Sequence, residues 1–498
     1  MPFMDYIQNP VIRKREYVFL AVSGILFILT ASSWTSPLFP GSYGYDSSFF
    51  SLVGRGILEG RVPYRDFFDI KGPVFFFIEA FGQFLCRDRF GIVLLQFASI
   101  ITTVILLYRL CLLYITKKQA VCVLTVFYFV YTTCLWGGNS VEEMCLPFNM
   151  ACIYLGICYL RKQEWAKIEF PAFFFGLSFA VMALSKVTVA APMIAMTLTI
   201  ALFLIKEGQR KYVFQCIVLF LSGMLMVVVP VFVYYGMRGA LDEMLFCAFR
   251  IAFKRSTDYY EGFSLKWESY LLICYTSFIY TFMKRREEGF EKWFMGILSA
   301  VTFLLLHLGT PFDYYFITTL PLISWVGINF FRDFNAYSII EDRDKQKQTL
   351  YHILFAEFAI TMVLFSYWGH TTGKIRDNID IACNRTEMEY YSDCKAILEL
   401  IPIEERENIY CLESGMIFYE VNQLMPANEY PVNLPYFMEL NPPIKQIVLD
   451  RIEKDTPKWL ISEDIGDFND DDVKIAVYKN YELIASNSAE HLYRRIER

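Results

Sequence analysis

The chain has 498 residues, of which 55% are hydrophobic, 18% are aromatic and only 20% are charged, with a net charge of −6. A water-soluble domain has roughly a quarter of its residues charged, whereas here the charges stand in short clusters between apolar runs of about 17–25 residues, the length that a helix needs to cross a bilayer. This pattern excludes an ordinary water-soluble protein and predicts a polytopic α-helical membrane protein.

The first apolar run follows three basic residues, Arg13, Lys14 and Arg15. It is longer than the apolar core of a typical signal peptide and lacks an obvious cleavage site, so an uncleaved span is predicted. Length and hydropathy predict about eleven spans in all. These are residues 17–34, 91–114, 119–135, 142–160, 170–185, 187–205, 212–236, 267–283, 292–308, 314–330 and 350–368. A cytoplasmic N-terminus puts the short basic loops inside the cell, as the positive-inside bias expects, and everything after residue 368 outside.

The first external loop, residues 35–90, is rich in charges. Its apolar segment from Pro73 to Leu85 is too short to cross a bilayer, so we interpret it as an amphipathic helix at the outer membrane interface. A second helix of this kind is predicted over residues 47–58. The apolar residues of both helices are then expected to face the membrane.

The polar tail, residues 369–498, is predicted to form a small extracytoplasmic α/β domain. "NIYCLE" and "KWLISE" resemble strands, and "DCKAILELI" and "PPIKQIVLDRIEK" have helical spacing. Residues 1–368 would then form the transmembrane domain.

Basic residues in two external loops break the positive-inside pattern. Arg65 and Lys71 lie in the first loop, and Arg250 follows the seventh predicted span. Lys186 interrupts an otherwise apolar run, at a predicted external turn. Each side chain either snorkels to the interface or pairs with a nearby acid, or it contributes to a site for phosphate, which Arg and Lys bind well. A phosphate at this depth would most naturally belong to a lipid.

Asp46 lies just after the first span leaves the membrane and before a helical stretch. Its position suits a helix N-cap, and that is one interpretation. The other is a general base at the interface that takes a proton from an acceptor hydroxyl.

Three motifs carry a resemblance to a known family. The stretch "YDSSFFSLVGRGILEGRVPYRDFFDIKGPVFFFIEAFGQFL" resembles the first external loop of type C membrane glycosyltransferases of glycosyltransferase family 39, the protein mannosyltransferase and aminoarabinose transferase group. "GTPFDYYFITTLPLISW" is similar to an external Tyr-Tyr element of that group. "NIYCLESGMIFYEVNQLMPANEYPVNLPYF" is similar to a tail element of its bacterial members. The chain departs from the group in two places, with Ser47 where many members have Glu and with Lys71-Gly72-Pro73 where Lys-Pro-Pro is commoner.

This resemblance implies a membrane enzyme that moves a sugar, with inversion, from a polyprenyl-phosphate donor to a glycan, lipid or protein acceptor outside the cell. It implies Asp46 as the catalytic base and Lys71 as the residue that meets the donor phosphate. The other expected site residues are Arg65, Lys186 and Arg250 for the phosphate, and Tyr64, Asp66, Asp69, Tyr314 and Tyr315 for substrate contacts.

The resemblance also sets the remaining expectations. A bacterial plasma membrane is the expected location, and no nucleic acid is expected as a partner. No cofactor is predicted, although a divalent metal held by Asp46, Asp66 or Asp69 stays open as an alternative.

Two other functions remain as alternatives, a transporter or flippase for lipid-linked saccharides and a polymerase or ligase. A flippase should carry its cations in a central cavity, and a polymerase normally has its large loop late in the chain. Here the cations gather in external loops and the informative loop comes first, which favours the transferase.

Overall fold

The computed structural model describes residues 12–161, 169–254, 265–283, 289–307, 312–384, 387–412, 415–431, 434–454, 457–488 and 490–496. Most of these residues are helical up to residue 384. The helices of this part are α1 (Lys14–Ala31), α2 (Tyr45–Leu58), α3 (Pro73–Leu85), α4 (Arg89–Leu112), α5 (Lys117–Cys134), α6 (Val141–Leu160), α7 (Glu169–Ala183), α8 (Val187–Lys206), α9 (Arg210–Arg238), α10 (Leu241–Leu245), α11 (Leu265–Met283), α12 (Gly289–His307), α13 (Leu320–Tyr337) and α14 (Arg343–Asn384). A π-helical turn (Phe246–Ile251) follows α10, and a 3-10 turn (Asp313–Thr319) precedes α13.

Each of the eleven predicted spans overlaps one helix of the described chain, from α1 to α14. By length and composition, seven segments of the described chain are apolar enough to cross a membrane. They are Arg89–Leu112, Val141–Leu160, Val187–Lys206, Arg210–Arg238, Phe290–His307, Asp313–Tyr337 and Arg343–Asn384. The polytopic helical architecture is thus as predicted, while the count of eleven spans and the orientation stay predictions.

Local sequence signals set several helix ends. Pro73 starts α3, where its missing N–H is not needed. The Ser140 hydroxyl accepts a hydrogen bond from the Glu143 N–H and caps α6. Gly239 ends α9 with a left-handed φ of 63°, a conformation that glycine adopts without strain.

The first-loop helices α2 and α3 lie close to their predicted bounds, but α2 does not face lipid. Its residues from Ser47 to Gly56 are all buried within the protein, and Phe49 and Leu52 are at most 1% exposed. A side chain at Gly54 would meet the backbone of Glu79 in α3 at 2.7 Å. The expectation of a membrane-facing apolar side is therefore wrong for α2, because α3 and a tail helix cover it.

The tail contains a four-stranded sheet with strands β1 (Ile409–Cys411), β2 (Trp459–Ser462), β3 (Tyr481–Ser486) and β4 (His491–Arg495) in the order β1-β2-β4-β3. β1 and β2 pair in parallel and the other pairs are antiparallel. The tail helices are α15 (Met388–Glu399), α16 (Gly415–Val421), α17 (Leu434–Leu440), α18 (Pro443–Glu453) and α19 (Asp471–Asn480). The quoted strands and helices are found as predicted, and the helix α14 runs through residue 368 without a break. The domain boundary and the external position of the tail stay predictions.

Candidate active site

Asp46 lies in the first turn of α2 and borders a narrow cleft. The N-cap of α2 is Gly44, and no side chain caps this helix, so the capping interpretation of Asp46 is wrong. The Asp46 side chain is half-buried. The cleft is lined by Trp34, Asp46, Phe50, Lys71, Leu135, Trp136, Gly138, Asn139, Ser140, Val141, Glu142 and Tyr314. Asp46, Lys71 and Tyr314, all predicted as site residues, therefore meet in one place.

Lys71 is held at this cleft by its own loop. The Tyr64 hydroxyl donates a hydrogen bond of 2.7 Å to the Lys71 carbonyl. The Asp69 carboxylate accepts the Lys71 N–H at 3.1 Å and lies 3.7 Å from the Lys71 ammonium. That ammonium also lies 5.0 Å from the centre of the Phe50 ring on α2. These contacts fix the direction of the Lys71 side chain from both of its ends.

Gly72 brings this loop against the turn between α7 and α8. The Gly72 N–H donates to the Ser185 carbonyl at 2.8 Å, and the Val74 N–H donates to the Leu184 carbonyl at 2.9 Å. A Cβ at residue 72 would lie 2.1 Å from the Leu184 oxygen. Such a close approach requires glycine, and a proline would lose the hydrogen bond to Ser185. The departure from Lys-Pro-Pro thus has a structural reason.

Lys186 follows that turn directly and points to the same region. Its ammonium pairs with the Glu142 carboxylate at the start of α6 and lies 3.4 Å from the centre of the Tyr315 ring. The Glu142 side chain is 2% exposed. Lys186 is therefore a partly buried cation on an aromatic face rather than a side chain that snorkels into water.

An apolar cavity of about 320 Å³ adjoins the cleft. It is lined by Ile70, Lys71, Gly72, Glu142, Ala183, Lys186, Val187, Thr188, Val189, Ala191, Ala248, Phe249, Ala252, Phe253, Leu305, Leu306, Tyr315 and Thr318. Lys71 and Glu142 border both spaces. The two lysines consequently stand where the apolar cavity meets the cleft that contains Asp46.

An aromatic wall, of which the sequence analysis predicted only Tyr314, also lines the cleft. Trp136 stacks on Tyr314, with ring centres 5.5 Å apart and planes 11° apart. Trp34 contacts Trp136 at 5.3 Å and fits closely between two backbones, because a Cβ at Gly44 or Gly137 would lie 2.0 or 2.1 Å from its ring. Trp136 belongs to the "LWGGNS" stretch after α5. Such a stretch is typical of an interfacial loop and does not indicate a site.

The remaining predicted site residues have contacts within the loops. Arg65 is exposed, pairs with Asp66 at 3.2 Å and donates to the Arg238 carbonyl at 3.1 Å. The Asp66 carboxylate accepts the Val62 N–H at 2.6 Å. Arg250 is exposed on the π-helical turn. These residues, Tyr64 and Asp69 do not line the two cavities described above, and their roles in phosphate or substrate binding stay predictions.

Buried carboxyl groups lie behind the cleft, and the sequence did not single them out as a group. Glu79 is 0% exposed. Its burial raises its pKa well above the usual value, the neighbouring Asn139 amide lowers it, and the charges of Glu420 and Glu143 raise it further. Asn139 in turn donates to the Ser47 hydroxyl at 3.2 Å, next to Asp46. Glu79 therefore lies beside the residue that contacts the start of α2.

The described residues hold no group of three or more His, Cys, Asp or Glu side chains suited to a metal ion. Of the three acids considered for a metal, Asp46 borders the cleft, whereas Asp66 and Asp69 bind backbone N–H groups. A divalent metal stays an untested alternative.

The chain combines a helical membrane fold with an acid and two lysines where an apolar cavity meets a cleft. Residues 71–235 match the family model described as dolichyl-phosphate-mannose-protein mannosyltransferase. The predicted resemblance to the protein mannosyltransferase and aminoarabinose transferase group is confirmed, and the match indicates a glycosyltransferase, as predicted.

Solved structures agree on the fold. The crystal structure of ArnT from Cupriavidus metallidurans bound to undecaprenyl phosphate is similar over 97% of this chain and 99% of that chain, with a TM-score of 0.64 at 10% identity. The apo state of the same ArnT is similar over 96% and 97% of the two chains, with a TM-score of 0.60 at 10% identity. No curated protein matches the sequence significantly.

Proposed function

We propose that the protein transfers a sugar from a polyprenyl-phosphate donor to an acceptor hydroxyl, with Asp46 as the general base and with Lys71 and Lys186 as ligands of the donor phosphate. The observation that carries this proposal is that Lys71 borders both the cleft with Asp46 and the apolar cavity with Lys186. A polyprenyl chain in the apolar cavity would place its phosphate at the two lysines and its sugar in the cleft. The binding of undecaprenyl phosphate by an ArnT of the same fold supports this donor class.

The reaction is a single displacement at the anomeric carbon. The acceptor hydroxyl gives its proton to a carboxylate oxygen of Asp46 while its oxygen forms a bond to the anomeric carbon. The bond between that carbon and the phosphate oxygen breaks, and its electron pair leaves with the polyprenyl phosphate. Attack from the side opposite to the leaving group inverts the configuration. The charge that develops on the phosphate is stabilised by Lys71 and Lys186 in surroundings of low dielectric.

The aromatic wall suits the sugar. Trp136 and Tyr314 offer parallel rings at the cleft, and flat aromatic faces pack well on the apolar side of a sugar ring. The half-buried Asp46 faces the same cleft from α2. The sugar would thus be held between a wall that orients it and the base that activates its acceptor.

We also propose that transfer takes place on the extracytoplasmic side of a bacterial plasma membrane. The short basic loops predicted to be cytoplasmic support this orientation, and the first loop and the tail would then lie outside the cell. The acceptor is a glycan, lipid or protein hydroxyl that can reach the cleft from that side.

The proposal is tested with purified protein and a panel of polyprenyl-phosphate sugars. Asp46→Asn should abolish turnover while the protein still elutes as a folded species, because the amide cannot take the proton. Glu59→Gln is the matched control, since Glu59 is an exposed acid just after the other end of α2. Substantial transfer by folded Asp46→Asn protein would refute the role of Asp46, and failure of the wild-type protein to transfer any sugar of the panel would refute the proposed function.

A further inference from the structure

Polar residues form a stripe along one face of α2. The stripe starts beside the cleft and extends away from it. Ser47, Ser51 and Arg55 are four residues apart, so that they lie on the same side of the helix. Ser47 contacts Asn139 of the cleft, as described above, and all three residues are at most 5% exposed. The stripe begins next to Asp46 and leads to the other end of the helix.

The far end of this stripe is bound by the tail helix α16. The Ser51 hydroxyl donates to the Glu420 carboxylate at 2.7 Å and accepts from the Gln83 amide of α3 at 2.7 Å. The Arg55 guanidinium donates to the Leu424 carbonyl at 2.8 Å and lies 3.5 Å from the Glu420 carboxylate. The helix α2 is thus tied to α3 and to the tail by one network.

Arg55 and Glu420 form a pair that is almost fully withdrawn from water. Their side chains are 5% and 2% exposed. Burying a charged pair costs much of what its attraction contributes, so such a pair is a poor device for stability alone. Removing one partner, in contrast, leaves an uncompensated buried charge. The intact pair adds little stability, whereas the loss of either partner costs much. The pair is therefore suited to hold α2 and the tail helix in one fixed arrangement.

The same tail segment also binds the loop between α2 and Lys71. The Arg61 guanidinium donates to the Pro426 carbonyl at 2.7 Å, and the Phe68 N–H donates to the Glu429 carbonyl at 2.6 Å. The Phe68 ring packs on Tyr430, with ring centres 5.4 Å apart. We call residues 415–430 the tail clamp. It contacts the first loop at several points from Ser51 to Phe68, between the proposed base and the proposed phosphate ligand.

We propose that the tail clamp fixes the position of α2 relative to the cleft, and that Glu420 is a positioning residue for sugar transfer although it lies in the tail. The inference rests on the proposed function. It assigns a role to the tail motif that contains Glu420, which sequence similarity alone left without one. Loss of the clamp lets α2 shift and moves Asp46 away from the acceptor hydroxyl.

The clamp should affect turnover more than donor binding. Lys71 has further anchors in Tyr64 and in the turn before α8, so that the phosphate ligand keeps its place when the clamp is weakened. Asp46 depends on the orientation of α2 itself. The expected signature is therefore a lower kcat with little change in the KM for the donor, which a general loss of folded protein would not give.

A double-mutant cycle tests the clamp in the full-length protein. Arg55→Met and Glu420→Met should each lower kcat about tenfold, because each leaves a buried charge unpaired, and the double variant should lose less than the product of the two effects. Hydrogen exchange of the amides of α2 should be faster in both single variants. Lys445→Met is the matched control, since it breaks the tail ion pairs of Lys445 with Asp470 and Asp472 at 2.7 Å without touching the first loop.

The outcomes separate the two proposals. If wild-type protein transfers sugar while both single variants match the control in kcat and in hydrogen exchange, the clamp is refuted and the proposed function stands. If no protein transfers sugar, the proposed function fails, and positioning of Asp46 for transfer fails with it, whatever the exchange of α2 shows. If a single variant does not fold, Arg61→Met removes the contact with Pro426 at a less buried point and should show the same lower kcat at constant KM.

Discussion

Lys71 stands at the boundary of two spaces, and this makes its side chain the most informative single position for donor binding. A charge-assisted hydrogen bond contributes about 1.5–3 kcal/mol. Lys71→Ala should therefore raise the KM for a polyprenyl-phosphate donor at least about tenfold. Lys445→Ala, which removes a tail ammonium paired with Asp470 and Asp472, should not. The measurement is initial-rate kinetics at varied donor concentration. An unchanged donor KM in folded Lys71→Ala protein would argue against a phosphate at this residue.

Glu79 is an acid that lies fully inside the protein, and its titration gives a prediction with a definite sign. Burial raises its pKa well above the ordinary value, so its contribution to stability is complete at low pH and is lost as the pH rises through the raised pKa. Glu79→Gln has no proton to lose. Below the ordinary pKa of a glutamate its thermal unfolding temperature should match that of wild type, and at neutral and alkaline pH it should be higher.

The control for this titration is Glu59→Gln, because Glu59 is exposed. Its unfolding temperature should follow that of wild type across the pH range. A strong loss of stability in Glu79→Gln at neutral pH would show that Glu79 is needed as a carboxylate instead.

Sequence reasoning identified Asp46, Lys71 and Tyr314 of the cleft but not Trp136 or Asn139. Asp46, Lys71 and Lys186 stand out because a charge among apolar residues is conspicuous in a membrane protein. Trp136 and Asn139 could not be singled out, since a Trp in an interfacial loop and an Asn after a helix are common. Their importance comes from the contacts that α5, α6 and α2 make in three dimensions.

At the scale of elements, the contact between the first loop and the α7–α8 turn brings the two lysines together. Gly72→Ala places a methyl group 2.1 Å from where the Leu184 oxygen now lies, so one of the two backbones must move. A misfit of this kind costs about 1–3 kcal/mol. The variant should unfold at a lower temperature and should have a weaker apparent affinity for the donor.

Gly369→Ala is the matched control for this substitution, since Gly369 lies in α14 with no atom near the added methyl group. It should leave both thermal unfolding and donor affinity unchanged. Equal behaviour of the two variants would contradict the close packing of Gly72.

The first and last residues of a helix could be predicted from the sequence more closely than the elements that pack against it. The bounds of α3 agree with the prediction because its proline start and apolar length are local signals. The surroundings of α2 did not follow, because an apolar helix face looks the same whether it meets lipid or protein. One of the two helices that cover α2, the tail helix α16, lies more than 350 residues further along the chain, and no local pattern connects it with α2.

At the scale of the whole molecule, the sequence predicted the helical membrane architecture, whereas the number of crossings needs experiment. Eleven apolar segments were expected, and seven described segments meet length and composition requirements for a span. Some expected spans fail these requirements because their helix contains several polar residues, as α5 does, or because it is short, as α7 is. Such helices can cross a membrane within a bundle because their neighbours satisfy the polar groups.

Thiol labelling of intact cells shows on which side of the membrane the first loop and the tail lie, and therefore on which side transfer takes place. The background variant has Ser in place of Cys122 and Cys383, which are exposed. In this background, a reagent that cannot cross the membrane should label Glu59→Cys in the first loop and Ile475→Cys in the tail. It should not label Lys345→Cys at the start of α14. All three positions are exposed, so a reagent that crosses the membrane should label all of them and serves as the control. Labelling of Lys345→Cys alone would reverse the topology. Labelling of the first loop without the tail would place an odd number of spans between them and separate α2 from its clamp.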